Sequence, residues 1–136
     1  MIRKISISTK GRTEIVDITP EVADIVRSSK AAFGVCRIFV PHTTAGLAIN
    51  ENADPSVKRD ILDKLNELVP FDAGYKHSKG NAAAHIKSVI VGTDKTLFIE
   101  GGKLALGTWQ GIFFCEFDGP RQRSVYVKIE SDNEKR

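Results

Sequence analysis

The chain has 136 residues, with 20 lysines and arginines against 17 acids and a net charge of +3. That length predicts one domain with a core that needs no disulfide or structural metal, and so small and unclustered a basic excess does not argue for nucleic acid, so no nucleic-acid partner is expected. No apolar run reaches the roughly 18 residues of a membrane span, the alternating N-terminus reads as a strand rather than a signal peptide, and two lone cysteines within apolar runs point to the cytoplasm.

Ile2 to Thr9 alternates in polarity and predicts a first strand, with Thr13 to Asp17 expected as its hairpin partner across Lys10-Gly11-Arg12. Thr19-Pro20 opens a helix, Thr19 as cap and Pro20 at the first helical position, and Val22, Ile25 and Val26 carry it to about Ser29. A strand from Val35 to Val40 stops at Pro41 and is followed at once by His42, Thr43 and Thr44. A second short apolar run, Leu47 to Ile49, delivers Asn50, Glu51 and Asn52. Strands ending in imidazole, hydroxyls, amides and a carboxylate describe either a site on a rigid frame or a hairpin with a polar turn.

Asp54-Pro55 starts a second helix, with Val57, Ile61, Leu62, Leu65 and Leu68 on one face and Pro70 closing it. A loop carrying His77 leads through Gly80-Asn81 into a third helix, Ala82 to about Val89. Thr96 to Glu100 is a strand, and Gly111 to Phe117 is apolar on both faces, as a central strand is. After the turn Asp118-Gly119-Pro120-Arg121, the last strand runs from Gln122 to Ile129 with Val125, Val127 and Ile129 inward and Ser124, Tyr126 and Lys128 outward. The pattern is an α+β fold, mostly antiparallel, with two to three helices, in one domain over residues 1–130 and a frayed tail at 131–136.

Only three histidines occur, His42, His77 and His85, each in a polar context on a separate element. Three imidazoles can form a facial metal site with an open position, so the candidate cofactor is a divalent metal, zinc or magnesium, although no known ligand spacing is present. Glu116 lies in the doubly apolar strand and must be paired or perturbed. Arg123 shares the inward parity of Val125 and Val127, so a buried Glu116–Arg123 pair is expected, the alternative being a phosphate held by Arg121 and Arg123. Trp109 and Gln110 can wall and hydrogen-bond an aromatic ligand, or belong to the core. Thr43 and Thr44 offer hydroxyls to an anion, and Asn81 shares a helix face with His85.

Taken together, His42-Thr43-Thr44-Ala45, Ile49-Asn50-Glu51-Asn52 with Asp54, His77…Asn81…Ala84-His85, Leu106-Gly107-Thr108-Trp109-Gln110, and Glu116-Phe117-Asp118-Gly119-Pro120-Arg121 with Arg123 resemble the YjbQ-like family, also described as secondary thiamine-phosphate synthase. The resemblance runs from about Ile5 to Ile129. It implies a β-sandwich-like core, a homotrimer, and a polar cleft holding the histidines with a metal, at a subunit interface. It also implies a weak activity that joins an aminopyrimidine-methyl diphosphate to a thiazole phosphate with loss of pyrophosphate.

Three functions are open on these residues. The first is that transferase, with Arg121, Arg123 and a metal on the histidines around the leaving group and Trp109 stacked on the pyrimidine. The second is a hydrolase of a small phosphorylated or acylated metabolite, in which His42, His77 and His85 hold the metal and Glu51 or Glu116 is the base. The third is a non-enzymatic protein that binds a small anion.

Overall fold

Residues 122–131 alternate in polarity longer than any other stretch, and they form the longest strand, β8 (Gln122–Ser131). In the computed structural model, which describes residues 1–132, β8 lies between β1 (Ile2–Ser8) and β3 (Phe33–Phe39). β5 (Asp94–Glu100) and β6 (Lys103–Leu104) complete a five-stranded sheet in the order β1-β8-β3-β5-β6. A second sheet holds β2 (Glu14–Asp17), β7 (Gln110–Glu116) and β4 (Ala45–Glu51), with β7 in the middle. All pairings are antiparallel, and with three helices this is an α+β fold.

The expected hairpin of the first two strands does not form. β1 pairs with β8 and β2 with β7, so the turn at residues 10–13 carries the chain from one sheet to the other. Glu14 holds that corner by accepting the amides of Lys10 (2.8 Å) and Gly11 (3.3 Å). The β7–β8 connection crosses between sheets in the same way, so Glu116 and Arg123 project from different sheets rather than from one hairpin.

The inner faces of the two sheets pack together through Ile5, Ile7, Cys36, Ile38, Val125 and Val127 from one side and Leu47, Ile112 and Phe114 from the other. Helix α1 (Thr19–Ser29) adds Val22, Ile25 and Val26 to this core. Thr19 is not its cap. The cap position is Ile18, and the Thr19 hydroxyl instead donates to Asp17 Oδ1 (2.6 Å) and accepts the Ile112 amide (2.8 Å), tying the helix start to β7. Helices α2 (Pro55–Leu68) and α3 (Ala82–Val91) serve the outer face of the smaller sheet, where Leu62, Leu65 and Ala84 meet Cys115 and Phe117. Asp54 caps α2 as its sequence indicates, accepting the Ser56 amide at 3.0 Å. β7 therefore shows one apolar face to each layer, which is why it reads as apolar throughout.

Ser131 still belongs to β8, opposite Gly34, and the Asp132 amide bonds to Phe33 O at 2.9 Å, so the strand runs past the point where fraying was expected. The rest of that tail, 133–136, lies outside the described residues. No helix among the described residues is long and apolar enough to cross a membrane.

α3 is seated on β4 at Gly46, where a Cβ would lie 2.8 Å from the Gly92 carbonyl oxygen and 3.0 Å from the Val91 side chain. Gly46→Ala must push α3 outward and is expected to cost about 1–3 kcal/mol of stability by overpacking. Urea unfolding checks this, and an unchanged midpoint would show that the helix is not seated so closely.

Candidate functional site

The site grows from strand ends. Extending the β3–β8 register two residues beyond Phe39↔Tyr126 would place Pro41 opposite Ser124. The chain leaves the strand there, since proline has no amide to give a ladder. His42 takes the place of the missing strand: the Ser124 amide donates to His42 Nε2 at 3.0 Å. Thr43 is exposed beside it and Thr44 is buried.

Beneath this turn lies the pair expected from parity. Glu116 is fully buried and Arg123 is 5% exposed. Arg123 Nε donates to Glu116 Oε1 at 2.7 Å, and Nη2 donates to Glu116 Oε2 and to the Thr44 hydroxyl (2.9 Å). Glu116 also accepts the Thr9 hydroxyl (2.8 Å) and the Asp118 amide (2.9 Å). Burial by itself would raise the Glu116 carboxyl, but these bonds, led by those of Arg123, outweigh it and hold the group below its usual value. With both oxygens engaged, Glu116 is a structural anchor and not a free base.

Asp118, oriented by that amide bond, accepts Asn81 Nδ2 (2.9 Å) and Arg121 Nη2 (3.1 Å). Asn81 stands just before α3, which presents His85 one turn later. These groups line a hollow of about 360 Å³ whose working walls are His42, Thr43, Asn81, His85, Asp118 and Arg121, with Arg123 at its base. A second depression of about 420 Å³ adjoins it across His42, Thr43 and His85 and runs toward Val89 and Thr93. His42 is held below its ordinary value by burial first and the Arg123 charge second. A larger hollow of about 500 Å³ sits between α1 and Leu104, but it is lined mainly by apolar groups with Arg27 and Lys103 and contains no histidine or acid.

The residues expected to share one site separate into three places. His42, Thr43, Thr44, His85, Asn81, Arg121 and Arg123 gather at the hollow. His77 touches His85 edge to face, with ring centroids 5.2 Å apart, but it is exposed and lines a different depression with Phe71 and Tyr75. Glu51, Asn50, Trp109 and Gln110 lie at the far end of β4 and β7: Ala45 pairs with Glu116 but Glu51 pairs with Gln110. Six residues of strand put these ends about 20 Å apart. There Glu51 accepts the Ala53 amide (3.0 Å), Gln110 accepts the Gly107 amide (2.8 Å), and Trp109 is exposed.

The three-histidine metal site does not assemble: among the described residues no group of three histidines, cysteines or carboxylates is set to hold an ion. His42 explains part of this, because the lone pair of Nε2 already receives the Ser124 amide. The donor set does not fit zinc or magnesium. Two groups at the site escaped the sequence reading. Asp118 stood in the turn motif but carried no assigned role, and the Ser124 amide is backbone and leaves no residue-type signal.

A family model described as UPF0047 protein YjbQ-like matches residues 3–132. UPF0047 protein MJ1081 of Methanocaldococcus jannaschii is 54% identical over 97% of this chain and 96% of its own. UPF0047 protein YugU of Bacillus subtilis is 48% identical over 95% and 98%. A crystal structure of a YjbQ/UPF0047 protein from Clostridium acetobutylicum superposes with a TM-score of 0.92 at 50% identity, covering 94% of this chain and 99% of that one. A YbjQ-like protein of unknown function from Sulfolobus solfataricus gives 0.93 at 38% identity, covering 97% of each.

Because the Glu116 carboxyl is lowered in the fold, the unfolded chain binds more protons, and the stability from Glu116 is present above its ordinary value of 4.5 and is lost as pH falls below it. Arg123→Leu leaves Glu116 buried without its partner and is expected to cost about 3–5 kcal/mol near neutrality. Thermal unfolding between pH 3 and 7 checks both; an Arg123→Leu protein that melts like the wild type would show that the pair anchors nothing.

Proposed function

The chain belongs to the UPF0047 YjbQ-like family, and on that premise we propose that the hollow at His42, His85 and Arg121 binds a small phosphorylated metabolite and supports a weak transfer reaction of the thiamine-phosphate-synthase type. The observation that carries this reading is the convergence of cationic and neutral donors on one polar hollow: the exposed Arg121, the Thr43 hydroxyl and the two imidazoles, over the Arg123 guanidinium. Such a set suits phosphate oxygens.

In the reaction, a thiazole ring nitrogen forms a bond to the methylene carbon of the pyrimidine while the carbon–oxygen bond to the diphosphate breaks. The electron pair leaves with pyrophosphate. Arg121 would stabilise that developing charge, with the Glu116-paired Arg123 beneath it, and His85 would protonate a leaving oxygen. A neutral ring nitrogen attacks without first losing a proton. The reading therefore asks for no carboxylate base, in keeping with a saturated Glu116 and a remote Glu51. The same two facts about Glu116 and Glu51 count against the bases of the metal-dependent hydrolase, and the separation of His77 from the hollow counts against its ligand set. Binding of an anion without catalysis is the outcome left if transfer is not detected.

The outer face of the larger sheet supports self-association, which the family resemblance makes a homotrimer. Phe33, Phe39 and Phe98 are 46%, 47% and 69% exposed there, a patch that self-association would cover. The free, buried Cys36 and Cys115 support a cytoplasmic location.

Incubating the purified protein with both substrates should release pyrophosphate. His85→Ala should slow the reaction roughly 10²–10⁴-fold, the usual worth of a positioned acid. A His85→Ala protein with the full rate would place the chemistry elsewhere. By light scattering the wild type should behave as a trimer and Phe98→Asp should shift it toward monomer; a monomeric wild type would refute the assembly.

A further inference from the structure

His42 has a backbone partner, and that partner fixes which ring nitrogen carries the proton. The Ser124 amide points at Nε2 from 3.0 Å. A backbone N–H can only donate, so Nε2 must be the unprotonated nitrogen. Rotating the ring by half a turn would replace Nε2 with a carbon and leave the Ser124 amide facing it without a partner, so the orientation is set by chemistry. The anchor is rigid on both sides. Ser124 sits in β8 opposite Ser6 of β1, and Val40, two residues before His42, donates its amide to Thr93 O at 2.8 Å. The proton of a neutral His42 therefore resides on Nδ1, which has no hydrogen-bond partner among the described residues. Around the ring are the Arg123 guanidinium, the Glu116 carboxylate that neutralises part of it, and, across the hollow, Asp118, Arg121 and His85.

We propose that His42 serves the hollow as a fixed neutral donor through Nδ1–H, with Nε2 permanently committed to the Ser124 amide, and is neither a metal ligand nor a proton acceptor there. The ligand atom that meets Nδ1 must then be an acceptor: an oxyanion or carbonyl oxygen, and not an ammonium or a metal cation. This goes one step beyond the preceding reading, on which its ligand half rests, by assigning the class of atom that His42 selects.

The tautomer is read directly on the wild-type protein by nitrogen-15 NMR of the imidazoles at pH 7. The expected spectrum shows a protonated Nδ1 and a bare Nε2 that couples to the Ser124 amide. Zinc alone should leave His42 Nε2 unmoved, and inorganic phosphate should shift Nδ1–H saturably. Two substitutions separate the functions of the ring. His42→Gln can keep an acceptor for Ser124 but has no donor at the Nδ1 position, and should weaken phosphate binding roughly 10- to 100-fold, the loss of one bond to a charged group. His42→Asn keeps an amide N–H near the Nδ1 position but loses the acceptor; it should retain phosphate affinity within about threefold while melting earlier, the loss of one backbone partner. An Nε2–H or doubly protonated ring, a zinc-bound Nε2, or a His42→Gln protein that binds phosphate like the wild type would each overturn the proposal. If phosphate fails to bind the wild type at all, the ligand half falls together with the preceding reading. An Nε2–H tautomer would overturn this proposal and leave that reading standing.

Discussion

The contact between Glu116 and Arg123 is the constraint from which the site hangs. One residue comes from the inner face of each sheet, and they meet where the interior closes over at one end. Taking both charges out of water costs several kcal/mol for each, and their attraction offsets this only because further hydrogen bonds support both groups. The Thr9 hydroxyl and the Asp118 amide serve Glu116, and the Thr44 hydroxyl serves Arg123. The pair thus adds little net stability over an apolar substitute and a great deal of positional definition. Thr44 carries the turn that bears His42 and Thr43. Asp118 holds Arg121 and, through Asn81, the start of the helix that presents His85. Any relaxation of the pair moves all of these groups at once.

The second organising feature is a strand that stops early. β8 is paired by β1 through Gln122 but by β3 only from Tyr126 onward, because Pro41 turns the chain aside. A ladder with a missing member leaves an amide that must find an acceptor, and an imidazole from the departing chain supplies one. The same event creates the concavity and chooses the side chain that lines it. Structural need and ligand recognition share one ring, with one nitrogen for each.

Much of this architecture was legible in the sequence. The apolar doubling of residues 111–117 marked a central strand, and the parity of Arg123 with Val125 and Val127 foretold its encounter with a carboxylate. What misled was adjacency along the chain. Neighbouring strands suggested a hairpin at residues 2–17, yet a four-residue corner passes equally well between sheets. His42 and Glu51 are nine residues apart, but a strand between them is a spacer, and so Trp109 and Gln110 joined Glu51 at the wrong end. Helix α3 inverts the ordinary pattern. Lys87 is fully buried with its amine over Phe71 at 4.0 Å, while Val89 and Ile90 are 83% and 59% exposed. No periodicity rule anticipates a lysine on the inner face, because its partner is a ring from a loop some sixteen residues earlier in the chain.

The distribution of committed and free groups bears on which reactions this hollow suits. Glu116 is saturated, and His42 has given its lone pair to the backbone. Burial would raise the Asp118 carboxyl, but the Asn81 and Arg121 bonds outweigh it and hold the group below its usual value. Apart from His85, which remains uncommitted, each group lining the hollow that could have drawn a proton from water is thereby weakened or occupied. The groups that stabilise negative charge are, by contrast, present together: Arg121, the Thr43 hydroxyl, Nδ1–H of His42 and the arginine beneath. A site rich in donors and poor in bases favours departure of an anion over activation of water. Displacement by a nucleophile that needs no deprotonation is the chemistry such a balance would serve, with one of the two imidazoles of the hollow invested in holding a strand end.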